Sequence, residues 1–138
     1  MGKLHPIMLS RTEVRAIQDS GGVEIHRALP RGERAKSVAA RYGRPGDRLW
    51  VREDFSTREE GDQLKIRYPA DGTHGQPRLL PVGTVESKYR TEGYVTRPAK
   101  YMPRWASRLT LEVTESQVKR SGHRQEVLVK ARVLPADK

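Results

Sequence analysis

Short runs in which apolar residues alternate with polar ones constrain this chain more than any other feature. Leu49 and Val51 alternate with Trp50 and Arg52. Leu109, Leu111 and Val113 take every second position of Arg108–Thr114, and Val127, Val129, Ala131 and Val133 do the same over Glu126–Leu134. A period of two belongs to a strand with one buried face. Val23 and Ile25 against Glu24 and His26 predict another strand over Val23–Leu29, and Leu64–Tyr68 a short one. Ile7–Leu9 reads as an opening strand. Strands separated by turn signals point to a small barrel or a strongly curved sheet.

One helix is spelled out between the first two strands. Ser10 and Glu13 have capping-box spacing, Leu9 and Val14 occupy the two positions of a hydrophobic staple, and Val14 and Ile17 can share a buried face. Gly21 and Gly22 end it. A second short helix is expected over Glu33–Tyr42. Pro45-Gly46 signals a turn before the Asp47–Glu53 strand. Ser56–Gln63 is charged and exposed in character. Gly72–Gly83, rich in glycine and proline, reads as a long surface loop. The period of Val82–Val95 is ambiguous.

A chain of 138 residues is expected to form a single domain, 1–138, large enough for a core without covalent staples. It has no cysteine, which excludes disulfides, thiolate metal sites and cysteine nucleophiles. His5, His26, His74 and His123 are scattered and match no metal-binding spacing, so neither metal nor cofactor is expected. No apolar run approaches a membrane span, and MGKLHPIML does not read as a signal peptide. The expectation is a cytoplasmic monomer.

Lysine and arginine number 27 against 17 aspartates and glutamates, a net charge of +10. A basic balance favours phosphate-bearing partners, above all RNA or single-stranded nucleic acid, although charge also serves solubility. The excess lies toward the two ends of the chain, where arginines surround the two tryptophans. Arg97, Lys100, Arg104 and Arg108 form the densest basic run, with Tyr101 and Trp105 interleaved and no acid among them. Guanidinium groups meet phosphates while aromatic faces stack bases. The competing reading is a solvated cationic loop with Trp105 in the core. Trp50 and Arg52 fall on the face opposite Leu49 and Val51, where Trp50 either stacks a ligand or packs. Arg31, Arg34, Lys36, Arg41 and Arg44 make a second basic cluster. Glu53 is the one candidate general base, with capping or ion pairing as its alternative role. Ser107 and Thr110 read as strand hydrogen-bonders.

Three blocks, PIMLSRTEVRAIQDSGG, YGRPGDRLWVRE and MPRWASRLTLEVT, occur in an order that resembles the ASCH domain family, its phage and prophage members in particular. The likeness spans roughly residues 6–29, 42–53 and 97–115. It implies an α+β fold: a small PUA-like β-barrel with one or two short helices packed against it. The cleft between helix and barrel is where the family binds RNA or nucleotides. Some members are amidohydrolases acting on acetylated cytidine, some are described as nucleases, and phage members are labelled morphogenetic. An assembly role with a protein partner is therefore a further alternative.

This chain departs from the family where the hydrolases do their chemistry. Their motif resembles DGRKTQTRR, and the counterpart here is Asp19–Arg27, DSGGVEIHR. The motif lysine falls on Gly22 and the threonine on Ile25, neither of which can act as base or nucleophile. Arg27 is kept and His26 replaces its neighbour. The resemblance implies the cleft for both, with Arg27 holding a phosphate. The alternative for Arg27 is an ion pair with Asp47 or Glu53. The acidic helix that phage relatives carry after the third block is missing here. The expectation is thus a nucleic-acid-binding module rather than an enzyme.

Overall fold

The computed structural model describes residues 2–28, 42–83, 85–121 and 124–135. The expected helix over Glu33–Tyr42, apart from Tyr42, and the basic residues Arg31, Arg34, Lys36 and Arg41 lie outside them. The strands are β1 (Leu4–Met8), β2 (Gly22–Ala28), β3 (Arg48–Arg52), β4 (Phe55–Glu60), β5 (Gln63–Arg67), β6 (Arg78–Pro81), β7 (Val95–Arg97), β8 (Thr110–Ser121) and β9 (Arg124–Val133), with one α-helix, α1 (Arg11–Ser20). The class is α+β, mostly strand. Among the described residues the strands make two sheets, ordered β1-β3-β8-β9-β2 and β6-β5-β4-β7, and neither closes on itself into a barrel.

The chain clusters into two compact units. The first takes the described residues of 1–7, 16–51 and 107–138 and holds the five-stranded sheet. The second takes 8–15 and 52–106 and holds the four-stranded sheet.

Helix α1 starts as its sequence specifies. The Ser10 amide donates to Glu13 Oε1 at 2.9 Å and the Glu13 amide to Ser10 Oγ at 3.2 Å, so two of the helix's orphan donors are satisfied reciprocally. Leu9, Val14 and Ile17 are buried. Gly21, at φ 79°, donates its amide to the Ile17 carbonyl at 2.7 Å and closes the helix in the left-handed conformation.

In the first unit, β3 pairs antiparallel with β8 in the register Leu49↔Leu111, and β8 pairs with β9 as Val113↔Ala131. Leu49, Val51, Leu111, Val113, Val127, Val129 and Ala131 are buried, as the alternation requires, while Leu109 and Val133 are half-buried and Leu128, at an out-of-phase position, is buried as well. The pairing slips by one residue at Thr114, whose Oγ1 donates to the Lys130 carbonyl at 3.1 Å. Beyond this bulge β8 runs on to Ser121 as the partner of β9.

Arg44-Pro45-Gly46-Asp47 is a turn closed by the Asp47 amide on the Arg44 carbonyl at 2.8 Å. Proline at the second position and Gly46 at φ 93° make it type II. The Asp47 carboxylate then ties three segments together. Oδ1 accepts the Lys3 amide at 2.9 Å, while Oδ2 accepts the Arg44 amide at 2.9 Å and faces His5 Nε2 at 3.2 Å. The Arg44 and Lys3 amides, with a smaller contribution from His5, hold its pKa below the ordinary aspartate range, against burial that pushes it up.

The second unit corrects two expectations. Ser56–Gln63 is only in part the exposed charged stretch expected: 60–63 are exposed, but β4 begins at buried Phe55 and continues through Ser56 and Thr57, buried as well. The alternation was hidden because polar side chains occupy inward positions. Thr57 Oγ1 is satisfied there by the Tyr89 carbonyl at 2.8 Å. Gly72–Gly83 is not wholly loop: β6 pairs with β5 in the register Leu64↔Leu80. Pro81 is tolerated because β6 is an edge strand. The core of this unit gathers Phe55, Leu64, Ile66, Tyr68, Tyr89, Met102 and Ala106, with Leu80, Val85 and Trp105 packed against it.

Candidate nucleic-acid interface

The expected site residues divide between the two units. His26, Arg27, Trp50 and Arg108 belong to the first; Arg52, Glu53, Arg97, Lys100, Tyr101, Arg104 and Trp105 belong to the second.

In the first unit the polar face of the sheet is charge-paired. Arg132 Nη2 meets Glu112 Oε1 at 3.0 Å, and Lys130 lies 3.5 Å from Glu115 and 3.7 Å from Glu24. These follow from register, since Glu112 stands opposite Arg132 and Glu24 opposite Lys130. His26 sits in the same lattice, with Nδ1 at 2.8 Å from Glu126 and Nε2 at 3.6 Å from Glu24. Two carboxylates beside it make it a poor phosphate contact. Arg27 is half-buried and donates from Nη1 to the His26 carbonyl at 2.9 Å. Trp50 and Arg108 are half-buried. Ser107, just before β8, donates from Oγ to the Val51 carbonyl of β3 at 2.8 Å.

In the second unit several candidates are structural. Glu53 is only 2% exposed. Arg52 donates from Nε to the Met102 carbonyl at 3.2 Å. Trp105 packs edge-on against Tyr89, ring centroids 5.3 Å apart, which makes it part of the core wall rather than a free stacking platform. Arg104 is exposed. Two acids of β4 are ion-paired: Glu60 meets Arg58 and Lys65 of the β4–β5 hairpin, and Glu59 meets Arg90 from the segment after the Ser87–Tyr89 turn. Both glutamates are held below the ordinary carboxylate range, Glu60 first by Lys65 and Glu59 by Arg90.

Arg97 and Tyr101 do come together. With Lys88, Tyr89, Val95, Thr96 and Pro98 they line a concavity of ≈ 340 Å³. Tyr89 is its buried floor, with Lys88 Nζ and Arg97 Cζ each 5.1 Å from the ring centroid. Tyr101 is its exposed aromatic, 57% accessible, with Lys100 Nζ 5.0 Å from its ring. Arg97 Nη2 donates to the Lys88 carbonyl, while Nε is buried without an acceptor. Among the described residues neither Arg97 nor Lys100 has a carboxylate partner. Lys88 has one, Glu86 at 3.4 Å. The adjoining Tyr89 phenol first, and then Glu86, hold the Lys88 pKa above its ordinary value, so it stays an ammonium.

The rim is positioned by a residue that sequence reasoning passed over. Asp54 Oδ1 accepts the Ala99 amide at 3.0 Å, anchoring the 3-10 turn Ala99–Tyr101 that carries Lys100 and Tyr101. Lys88 and Tyr89 were missed too, because they lie in the stretch of ambiguous period. An aromatic beside a lysine was the available signal, and it is a common pair. Among the described residues no group of three or more His, Asp or Glu side chains is placed to hold a metal ion. None of the helices there is long and apolar enough to cross a membrane.

No family model, no curated protein and no solved structure matches this chain.

Proposed function

We propose that this chain is a nucleic-acid-binding module, RNA its intended partner, of the kind the ASCH resemblance implies and PUA-like in fold. The observation that carries the reading is the meeting of Arg97 and Tyr101 from the basic run with Lys88 around one concavity, Lys100 lying on the Tyr101 ring. Cations such as Arg97 and Lys100, without carboxylate partners among the described residues, beside an exposed aromatic are what a phosphate backbone with unpaired bases requires. The net charge of +10 adds a long-range attraction for polyanions. At the two positions where the resemblance implies hydrolytic chemistry, Gly22 has no side chain and Ile25 is fully buried; Glu53, a general-base candidate on separate grounds, is all but inaccessible, and all three support binding over turnover.

Fluorescence anisotropy with a labelled single-stranded RNA, repeated across a salt series, tests this. Affinity should fall steeply with salt, and Lys100→Ala and Arg97→Gln should each reduce the log–log slope by about one. Circular dichroism checks that Arg97→Gln remains folded, since Arg97 also packs on Tyr89. Binding indifferent to salt and to both substitutions would defeat the reading. So would salt-tolerant capture of a protein with no retention of RNA, which is the mark of an assembly factor.

A further inference from the structure

The concavity beside β7 has a chemistry narrower than general attraction to polyanions. Its size, ≈ 340 Å³, lies at the low end of the range for small-ligand sites, of the scale of one nucleotide and far too small for a duplex. Its walls are mixed. Tyr89, Val95, Pro98 and Tyr101 supply apolar and aromatic surface, while Lys88 and Arg97 supply positive charge. A purely anionic ligand would leave the apolar walls wet, and a purely apolar one would take water from Lys88 and Arg97 without offering them an acceptor.

Two further observations bear on the occupant. Val95 and Tyr101 are 43% and 57% accessible, so the lining exposes large apolar groups that a flat ring would cover. Among the described residues β7 is the edge of its sheet, paired with β4 alone in the register Phe55↔Arg97 to Thr57↔Val95. The outward-facing peptide groups of an edge strand can bond the polar edge of a base. Among the described residues the Arg97 side chain bonds the Lys88 carbonyl and no carboxylate, so its guanidinium lines the concavity with its charge uncompensated, a state suited to phosphate oxygens.

We propose that this concavity receives a single unstacked nucleotide, its base against Tyr101 and the β7 edge and its phosphate on Arg97 and Lys88. The module then selects unpaired nucleotides over duplex. This rests on the reading of the chain as a nucleic-acid-binding module and adds to it the class of ligand. Bases inside a duplex are stacked on both faces and cannot reach the cavity, whereas a single strand or a frayed end can.

The test uses the full chain with a single-stranded oligoribonucleotide carrying one 2-aminopurine, beside the same strand annealed to its complement. Binding of the single strand should change the 2-aminopurine emission, and the duplex should bind at least about tenfold more weakly. Tyr101→Ala, at an exposed position outside the core, should lose the emission change and weaken binding by about 5- to 100-fold. Tyr101→Phe should keep both, because the ring and not the hydroxyl does the stacking. Salt-dependent binding of the oligonucleotide with unchanged emission, or equal affinity for single strand and duplex, overturns this inference and leaves the binding module standing. Absence of binding to either form overturns both.

Discussion

Asp47 is the residue whose surroundings make the sharpest demand on chemistry. Its carboxylate serves the Lys3 and Arg44 amides and His5 at once, which fixes the turn that launches β3. Asp47→Ala leaves two backbone donors without an acceptor and should cost about 1–3 kcal/mol, read as a lower urea midpoint at unchanged slope. The pH dependence follows from the direction of its shift. A carboxyl whose folded-state pKa is depressed contributes stability above its unfolded value, and that contribution is lost as pH falls through the folded value. The gap between parent and Asp47→Ala should therefore be full at neutral pH and shrink below about pH 4. A gap that persists unchanged to pH 2 would show that the carboxylate charge is not what holds the turn. The role of Asp47 is half legible in the sequence. Pro45-Gly46 announces a turn, but nothing local announces that residues 3 and 5 share its carboxylate.

At the scale of elements, α1 and β4 illustrate opposite degrees of legibility. The helix is specified by contacts three and four residues apart, so Ser10, Glu13, Leu9 and Val14 declare it in advance, and the reciprocal cap is present. Ser10→Ala should cost about 1 kcal/mol, measured as a lowered melting temperature with the native spectrum retained. Strand β4 is specified from a distance. Its buried Thr57 is apt only because the Tyr89 carbonyl, 32 positions along, accepts its hydroxyl. Thr57→Val keeps the shape but strands that carbonyl, and should cost about 1–3 kcal/mol in chemical denaturation. The Ser87–Tyr89 turn ends in the residue whose carbonyl is lost, so the same variant should also weaken RNA binding. Full stability in Thr57→Val would show that the hydroxyl contributes only shape.

For the molecule as a whole, charge sets two opposed responses to salt. At +10 the folded chain repels itself, and added salt screens that repulsion. Raising salt from about 0.05 to 0.5 M should therefore raise the melting temperature of the free protein, while the affinity for RNA falls. The two are separable by running thermal unfolding and anisotropy in the same buffers. A melting temperature that falls with salt would mean that attractive ion pairs, such as Arg90–Glu59 and Arg132–Glu112, outweigh the net repulsion.

Period and capping were enough to place α1, β2, β3, β5, the start of β8 and β9, because each is dictated by neighbours in the chain and by which face must leave water. The density of basic and aromatic residues marked Arg97, Lys100 and Tyr101 as a group. Tertiary structure alone decided which charges stay available. Pairing across a sheet joined His26, Lys130 and Arg132 to carboxylates 15 to 106 residues away, packing turned Trp105 into core, and Asp54 reached 45 residues to set the turn bearing Tyr101. A charge is neutralised by whatever the fold brings within a few ångströms of it, and that distance is not written in the order of the residues.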